Sequence, residues 1–212
     1  MKFLITAGPT REPIDPVRYI SNRSSGKMGY AMAAAAIKAG HEVVLVSGPV
    51  CLKPPRGVQL VKAITADEMY EAVHRHLDGI DIAVMCAAVS DFKPAHFSAQ
   101  KIKKSAGLEK ISLVPARDIL ASLSKIKKKF CIVGFAAETD FLHENALKKL
   151  REKKCDLVIG NDASRMDTGM ESDDNELTLF YKSGKVESIS RAKKTILAKK
   201  LVKIFEKLQE KS

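Results

Sequence analysis

The chain has no tryptophan, and aromatic residues make up only 6% of it. Stacking platforms for single-stranded nucleic acid are therefore scarce. No apolar run approaches the roughly 18–20 residues that span a bilayer. The start, one lysine ahead of a strand-like segment, lacks the long apolar stretch of a signal peptide. Neither membrane nor nucleic acid is expected as a partner, and a cytoplasmic location is. C-x-x-C is absent. The four cysteines, Cys51, Cys86, Cys131 and Cys155, stand far apart, the last three in or beside apolar runs. They read as small buried hydrophobes rather than as disulfides or zinc ligands. G-x-G-x-x-G is also missing after the first strand, which argues against a dinucleotide dehydrogenase. Ser25-Gly26-Lys27-Met28 falls short of a P-loop, because Met28 stands where Ser or Thr is required.

What is present is an ordinary globular composition, 45% hydrophobic and 29% charged, with a formal net charge of +11 over 212 residues. That length suits one well-filled core, so residues 1–212 are expected to form a single domain. Much of the positive excess sits at 125–129 and 191–211. Both stretches read as solvated helix faces. A nucleic-acid module remains a lesser alternative on charge alone.

Apolar strands alternate with helices over the first two thirds. Strands are expected at 2–7, 41–47, 82–86, 130–135 and 155–160, and helices at 27–39, 66–77, 117–127 and 141–153. Thr65 caps the second helix, with Glu68 three residues on as its capping-box partner. Residues 95–113, polar and lysine-rich, read as a mobile flap. A β-hairpin (175–181 and 186–189) and a basic helix (191–207) close the chain. Strands apolar on both faces imply a parallel sheet covered on both sides. The expected fold is α/β: a Rossmann-like, doubly wound, mainly parallel sheet with a C-terminal β-hairpin and helix.

Ligands of such sheets bind beyond the carboxyl ends of the strands. Here those ends carry small residues, beginning with Gly8-Pro9-Thr10. The first long helix opens on Ser24-Ser25-Gly26, a place for an anion among unpaired backbone N–H groups. Asn22, just before it, can orient a carboxylate or acyl phosphate, or simply make a turn. Lys101-Ile102-Lys103-Lys104 lies in the flap; its residues alone favour a solvated charged loop, but a flexible loop of ammonium groups is also suited to close over a triphosphate. Asp91 can hold Mg²⁺ or serve as a cap. Lys149 and Lys153, four apart, share a helix face.

The segment GPTREPIDPVRYISNRSSGKMG, followed in order by CAAVSDF, KIKK, GFAAET and ND, closely resembles phosphopantothenoylcysteine synthetases of the bacterial, CTP-using kind. These form one half of many bifunctional coenzyme A biosynthesis flavoproteins. The resemblance implies a ligase of 4′-phosphopantothenate and L-cysteine that works as a homodimer. It would use CTP and Mg²⁺, pass through an acyl-cytidylate and release CMP and pyrophosphate. It also implies residue roles. Asn22 handles the acyl-cytidylate, and Lys101 serves the first half-reaction. Asp91 lies near nucleotide and metal. The nucleotide-binding set comprises Gly8, Ser24, Ser25, Gly26, Met85, Cys86, Ala87, Asp91, Lys101, Phe135, Lys149 and Lys153 together with the base-contacting Arg117, Asp118, Ile119 and Leu120. Arg117 departs from the family's N-P-D-I-[LIV] pattern, so no proline ring fixes that backbone. With no decarboxylase half ahead of Met1, no FMN is expected. An NAD(P)-dependent reductase on the same sheet is the other enzyme class the alternation allows.

Overall fold

The computed structural model describes residues 1–104, 110–126, 130–164 and 171–210. In chain order the elements are β1 (Lys2–Ala7), β2 (Arg11–Pro13), β3 (Tyr19–Ser21), α1 (Lys27–Lys38), β4 (Glu42–Ser47), β5 (Gln59–Lys62), α2 (Ala66–Arg75), β6 (Ile82–Met85), β7 (Phe92–Pro94), β8 (Leu113–Pro115), α3 (Ile119–Leu123), β9 (Cys131–Glu138), α4 (Leu142–Glu152), β10 (Leu157–Asp162), β11 (Asp174–Tyr181), β12 (Val186–Lys193) and α5 (Lys194–Gln209).

Eight strands form the main sheet, in the order β12-β11-β10-β9-β6-β1-β4-β5. The run from β5 to β10 is parallel throughout, and β11 and β12 add an antiparallel hairpin at one end. Numbered along the chain, the parallel strands follow the order 3-2-1-4-5-6 of a Rossmann fold. The order reverses between β1 and β6, and that is where a crevice opens. The α/β fold expected from the sequence is the one observed.

Each face of the sheet has its own core because successive side chains of a strand point to opposite sides. Phe3 and Ile5 of β1 pack with Met32 and Ala33 of α1 and with Leu197, Leu201 and Phe205 of α5. Leu4 faces the other way, into a cluster with Met69 and Val73 of α2, Leu123 of α3 and Leu150 of α4. Cys131 and Cys155 are buried, and none of the four cysteines is in a disulfide. Thr65 caps α2 as expected: its hydroxyl accepts the Glu68 N–H at 3.1 Å. The Glu68 carboxylate reaches back to the N–H of Ile64 at 2.6 Å, one residue before the cap.

Several boundaries depart from expectation. β5 and the hairpins β2–β3 and β7–β8 were not foreseen; each hairpin strand has three residues, too few to show a period. The segment 95–113 leads from β7 into the first residue of β8, and the register pairs Pro94 with Leu113. Residues 105–109 of it, 127–129 of the first charge run and Lys211 of the second lie outside the described residues. α3 covers only Ile119–Leu123, because Asp118 is its cap rather than part of it. β9 and β10 run on to Glu138 and Asp162. β12 continues to Lys193, so the last helix starts three residues later than its charge pattern suggests.

Candidate active site

The crevice is built beyond the carboxyl ends of β1 and β6, where the strand order reverses. Thr6, buried near the end of β1, accepts the N–H groups of Cys86 and Ala87 on its hydroxyl at 3.0 and 3.1 Å. Backbone bonds continue the pairing past the strand ends: Ala88 N–H to Gly8 O at 2.9 Å, and Thr10 N–H to Ala88 O at 3.2 Å. Asn22 also donates its Nδ2 to Ala88 O, at 3.0 Å. The Thr10 hydroxyl accepts the Ser90 N–H at 3.0 Å, which sets the direction in which the chain reaches Asp91. A row of side-chain and backbone bonds therefore holds the turn after β6 at a fixed height beside α1.

α1 begins at Gly26, in the left-handed region at φ 76°, and no side chain caps its first turn. Only glycine enters that conformation without strain. Gly29 lets α1 lie against β1, since a Cβ there would come within 2.5 Å of the Ala7 Cβ and 3.1 Å of Thr6 O. The helix thus presents its N-terminus to the crevice, with the positive end of its dipole outward and the Ser24 hydroxyl accepting the Gly26 N–H at 3.4 Å.

Two cavities lie along the crest. The first, about 380 Å³, runs from the opening of α1 to the ends of β9 and β10. Asn22, Ser24, Gly26, Cys86, Ala87 and Asp91 line it, with Phe135 and Lys149. The second, about 370 Å³, lies between β6, α3 and α4. Its wall includes Met85, the loop Arg117–Leu120 and Lys153. Ala87, Asp91, Phe135 and Lys149 belong to both, so the two are lobes of one groove.

Charge is fixed unevenly over this groove. Lys149 Nζ donates to Phe135 O at 3.0 Å, so its ammonium lies against the shared wall. Lys153 Nζ is 2.7 Å from Asp118 Oδ2. Partial burial pushes the Asp118 carboxyl up, but the hydrogen bonds from Lys153 and from Ala121 N–H outweigh it and leave it below the usual carboxylate range. The same bond raises the Lys153 ammonium. Arg117 lies 3.5 Å from the Tyr70 ring centroid and bonds Glu71 at 2.5 Å, so α2 steadies a backbone that no proline ring fixes. Burial pushes the Cys86 thiol up to about 12; it stays protonated and serves as wall, not nucleophile.

Three expected residues line neither lobe: Gly8, Ser25 and Lys101. Gly8 lies under Val50, whose Cγ1 is 2.8 Å from where a Cβ would be. Lys101 is exposed, and its neighbour Ile102 is tied to the β2–β3 turn. The first lobe also includes Glu138 and Asn161, which the sequence places at strand ends without a role, and Asn175 and Lys194, which sequence reasoning missed. Lys194 belongs to a stretch whose charge reads as a solvated face, yet it is only 5% exposed. Among the described residues, no group of three or more His, Cys, Asp or Glu side chains is arranged to hold a metal. Mg²⁺, however, commonly keeps its waters and needs only one or two carboxylates beside substrate phosphates. The exposed Asp91 carboxylate, on the wall shared by both lobes, fits that lesser role.

Residues 1–208 match the family model of the DNA/pantothenate metabolism flavoprotein C-terminal domain. The chain belongs to this family. Among curated relatives, the coenzyme A biosynthesis bifunctional protein CoaBC of Vibrio vulnificus (strain CMCP6) is 45% identical over 209 residues, covering 97% of this chain and 52% of the relative. CoaBC of Escherichia coli (strain K12) is 48% identical over 188 residues, 87% of this chain and 46% of the relative. The chain thus spans about half the length of the curated relatives it matches. A crystal structure of the C-terminal domain of CoaBC superimposes with a TM-score of 0.85 at 40% identity, covering 100% of this chain and 96% of that one. A Cab2 mutant in complex with phosphopantothenate-cysteine reaches a TM-score of 0.79 at 18% identity, covering 98% and 87%; this likeness concerns the fold. No helix among the described residues is long and apolar enough to cross a membrane.

Proposed function

We propose that this chain, as a single domain, joins 4′-phosphopantothenate to L-cysteine at the expense of CTP. The observation that carries the reading is the two-lobed groove of a member of this family, set at the point where the strand order reverses. In this reading the lobe lined by Met85 and Arg117–Leu120 takes the nucleoside. The other brings a helix N-terminus and Asn22 to the place where an acid and an α-phosphate would meet.

A carboxylate does not acylate an amine until one of its oxygens becomes a leaving group. In this reading the phosphopantothenate carboxylate attacks the α-phosphorus of CTP. The bond from that phosphorus to the bridging oxygen breaks, and pyrophosphate leaves. The cysteine amine then attacks the acyl carbon; the bond to CMP breaks, and the nitrogen gives up a proton. The chain's part is alignment, charge neutralisation and exclusion of water. Asn22, fixed by Ala88 O, orients the acyl phosphate. Lys149 neutralises charge on the shared wall, and Lys101 approaches from the β7–β8 connection. Asp91 would hold Mg²⁺, which would offset phosphate charge. The reaction involves no net oxidation or reduction, so it has no need of a flavin. A homodimer, working in the cytoplasm, completes the proposal.

The test is direct. With CTP, Mg²⁺, phosphopantothenate and cysteine, the protein should form CMP and pyrophosphate, and pyrophosphate only when phosphopantothenate is present. If the complete mixture yields no CMP, the reading is wrong.

A further inference from the structure

Resting on that reading, we infer that Glu138, the last residue of β9, is the contact for the amino group of the second substrate. Its carboxylate receives an N–H of L-cysteine in the first lobe and takes up the proton that the nitrogen gives up as the amide forms.

The first lobe is walled largely by groups suited to anions. The N-terminus of α1 offers backbone donors, Lys149 an ammonium, and Asn22, Asn161 and Asn175 their amides. Two carboxylates break this pattern, Asp91 and Glu138. Asp91 also lines the second lobe, whereas Glu138 lines the first alone. In the proposed reaction an acid and an α-phosphate meet in this lobe, and a carboxylate repels both. The amino group of cysteine is the one cationic group among the three organic substrates. A carboxylate attracts it and bonds it strongly.

Glu138 is held in place for such a contact. It pairs with Asp162 of β10 in the register of the sheet, and its carbonyl accepts the Ala163 N–H at 2.8 Å. Asn145 of α4 donates its Nδ2 to Glu138 Oε2 at 3.1 Å and to Asp140 O at 3.2 Å. One amide thus ties the carboxylate to the loop that joins β9 to α4. Among the described residues Asn145 is the only hydrogen-bond partner of this carboxylate, and no cation pairs with it. Oε2 is anchored and Oε1 is left for a ligand. The residue is half-buried, so a charge held there is screened less than on the open surface.

The protons balance. Cysteine arrives as an ammonium; one proton leaves to water, and the neutral amine keeps an N–H on Oε1. The nitrogen lone pair attacks the acyl carbon. The bond from that carbon to the CMP oxygen breaks, and its electron pair leaves with CMP. The extra proton on nitrogen passes to Oε1 and on to water.

Kinetics on the full chain test this, with the wild type, Glu138→Gln and Asn145→Ala. Glu138→Gln keeps the size of the side chain and loses the charge. KM for cysteine should rise about tenfold or more, the scale of one charge-assisted hydrogen bond, while pyrophosphate released in a single turnover without cysteine stays within about twofold. CMP formation at saturating cysteine should also slow. Cysteamine, which has the amine, should lose potency as a competitor of cysteine, and mercaptopropionate, which lacks it, should not. Asn145→Ala leaves the carboxylate and removes its tether, so KM for cysteine should shift the same way by less. An unchanged KM for cysteine, a matching fall in pyrophosphate release, equal loss for both competitors, or a raised Mg²⁺ requirement would each overturn the assignment and leave the ligase reading standing. A wild type that forms no CMP overturns both. Should the variants fail to fold, a crystal of the wild type with the amide product decides: its amide nitrogen within hydrogen-bond distance of a Glu138 carboxylate oxygen supports the assignment, and a greater separation overturns it.

Discussion

The carboxylate of Asp15 accepts the backbone N–H of Ile102 at 3.2 Å across 87 residues of sequence. The same carboxylate accepts the N–H groups of Val17 and Arg18 at 2.9 Å and is bonded by the Arg18 guanidinium. Arg18 then donates to Ile102 O at 2.7 Å. One buried acid and its arginine thus pin the foot of the lysine-bearing segment to the β2–β3 turn.

Asp15→Asn should release that foot. Hydrogen exchange at 98–104 should accelerate, and turnover should fall, because Lys101 loses its approach to the groove. The stability difference from wild type should also depend on pH. The Arg18 guanidinium holds the Asp15 carboxyl well below the usual carboxylate range. Its contribution is therefore complete at neutral pH and is lost as pH falls below about 4 toward the depressed folded value. Urea titrations of both proteins at pH 7 and in acid should show the gap narrowing in acid.

Asn22→Asp keeps the size of the side chain and exchanges the donor facing Ala88 O for an acceptor. The carboxylate should swing away from that carbonyl. Turnover should fall about a hundredfold or more, as when one positioned donor is lost from a reacting site. The residue is exposed, so the thermal midpoint should hardly move. A large drop in the midpoint would show that the effect is structural.

Gly29→Ala tests the closeness of α1 to β1. The added methyl meets the Ala7 side chain and Thr6 O, both in the packed interior. A loss of about 1–3 kcal/mol is expected by urea unfolding. Weakened CTP binding should accompany it, since α1 must shift outward.

Asp118 both caps α3, through Ala121 N–H at 2.7 Å, and holds Lys153. Asp118→Ala should cost about 1 kcal/mol, while Asp118→Asn, an equally good cap, should cost only a few tenths. Nucleotide affinity should respond to both substitutions, because each frees the Lys153 ammonium. Comparing stability with CTP affinity in the two variants separates the roles.

The parts of this molecule with a sustained apolar signal could be read from the sequence. β1 and β4 were legible as short continuous apolar runs, and α1 as a longer one, each bounded by turn-forming residues. β5 is half exposed and ends in polar residues, so it carries no such signal. Local chemistry marked Asn22, Asp91 and the Ser-Ser-Gly opening as places of interest. It could not mark Lys194 or Asn175. Those two meet the groove only because β11 runs antiparallel to β10 and β12 then delivers α5 to the crest. A lysine at the head of a lysine-rich helix looks like every other lysine until the sheet is closed around it.

α5 has one further practical consequence. Its 16 residues form a rod about 24 Å long, with Lys194 at the groove and Gln209 at the opposite end. A purification handle or surface tether joined beyond Gln209 would therefore project far from the mouth of the groove. Immobilised that way, the protein should keep the mouth of the groove clear, whereas an attachment made through the β7–β8 connection would obstruct it.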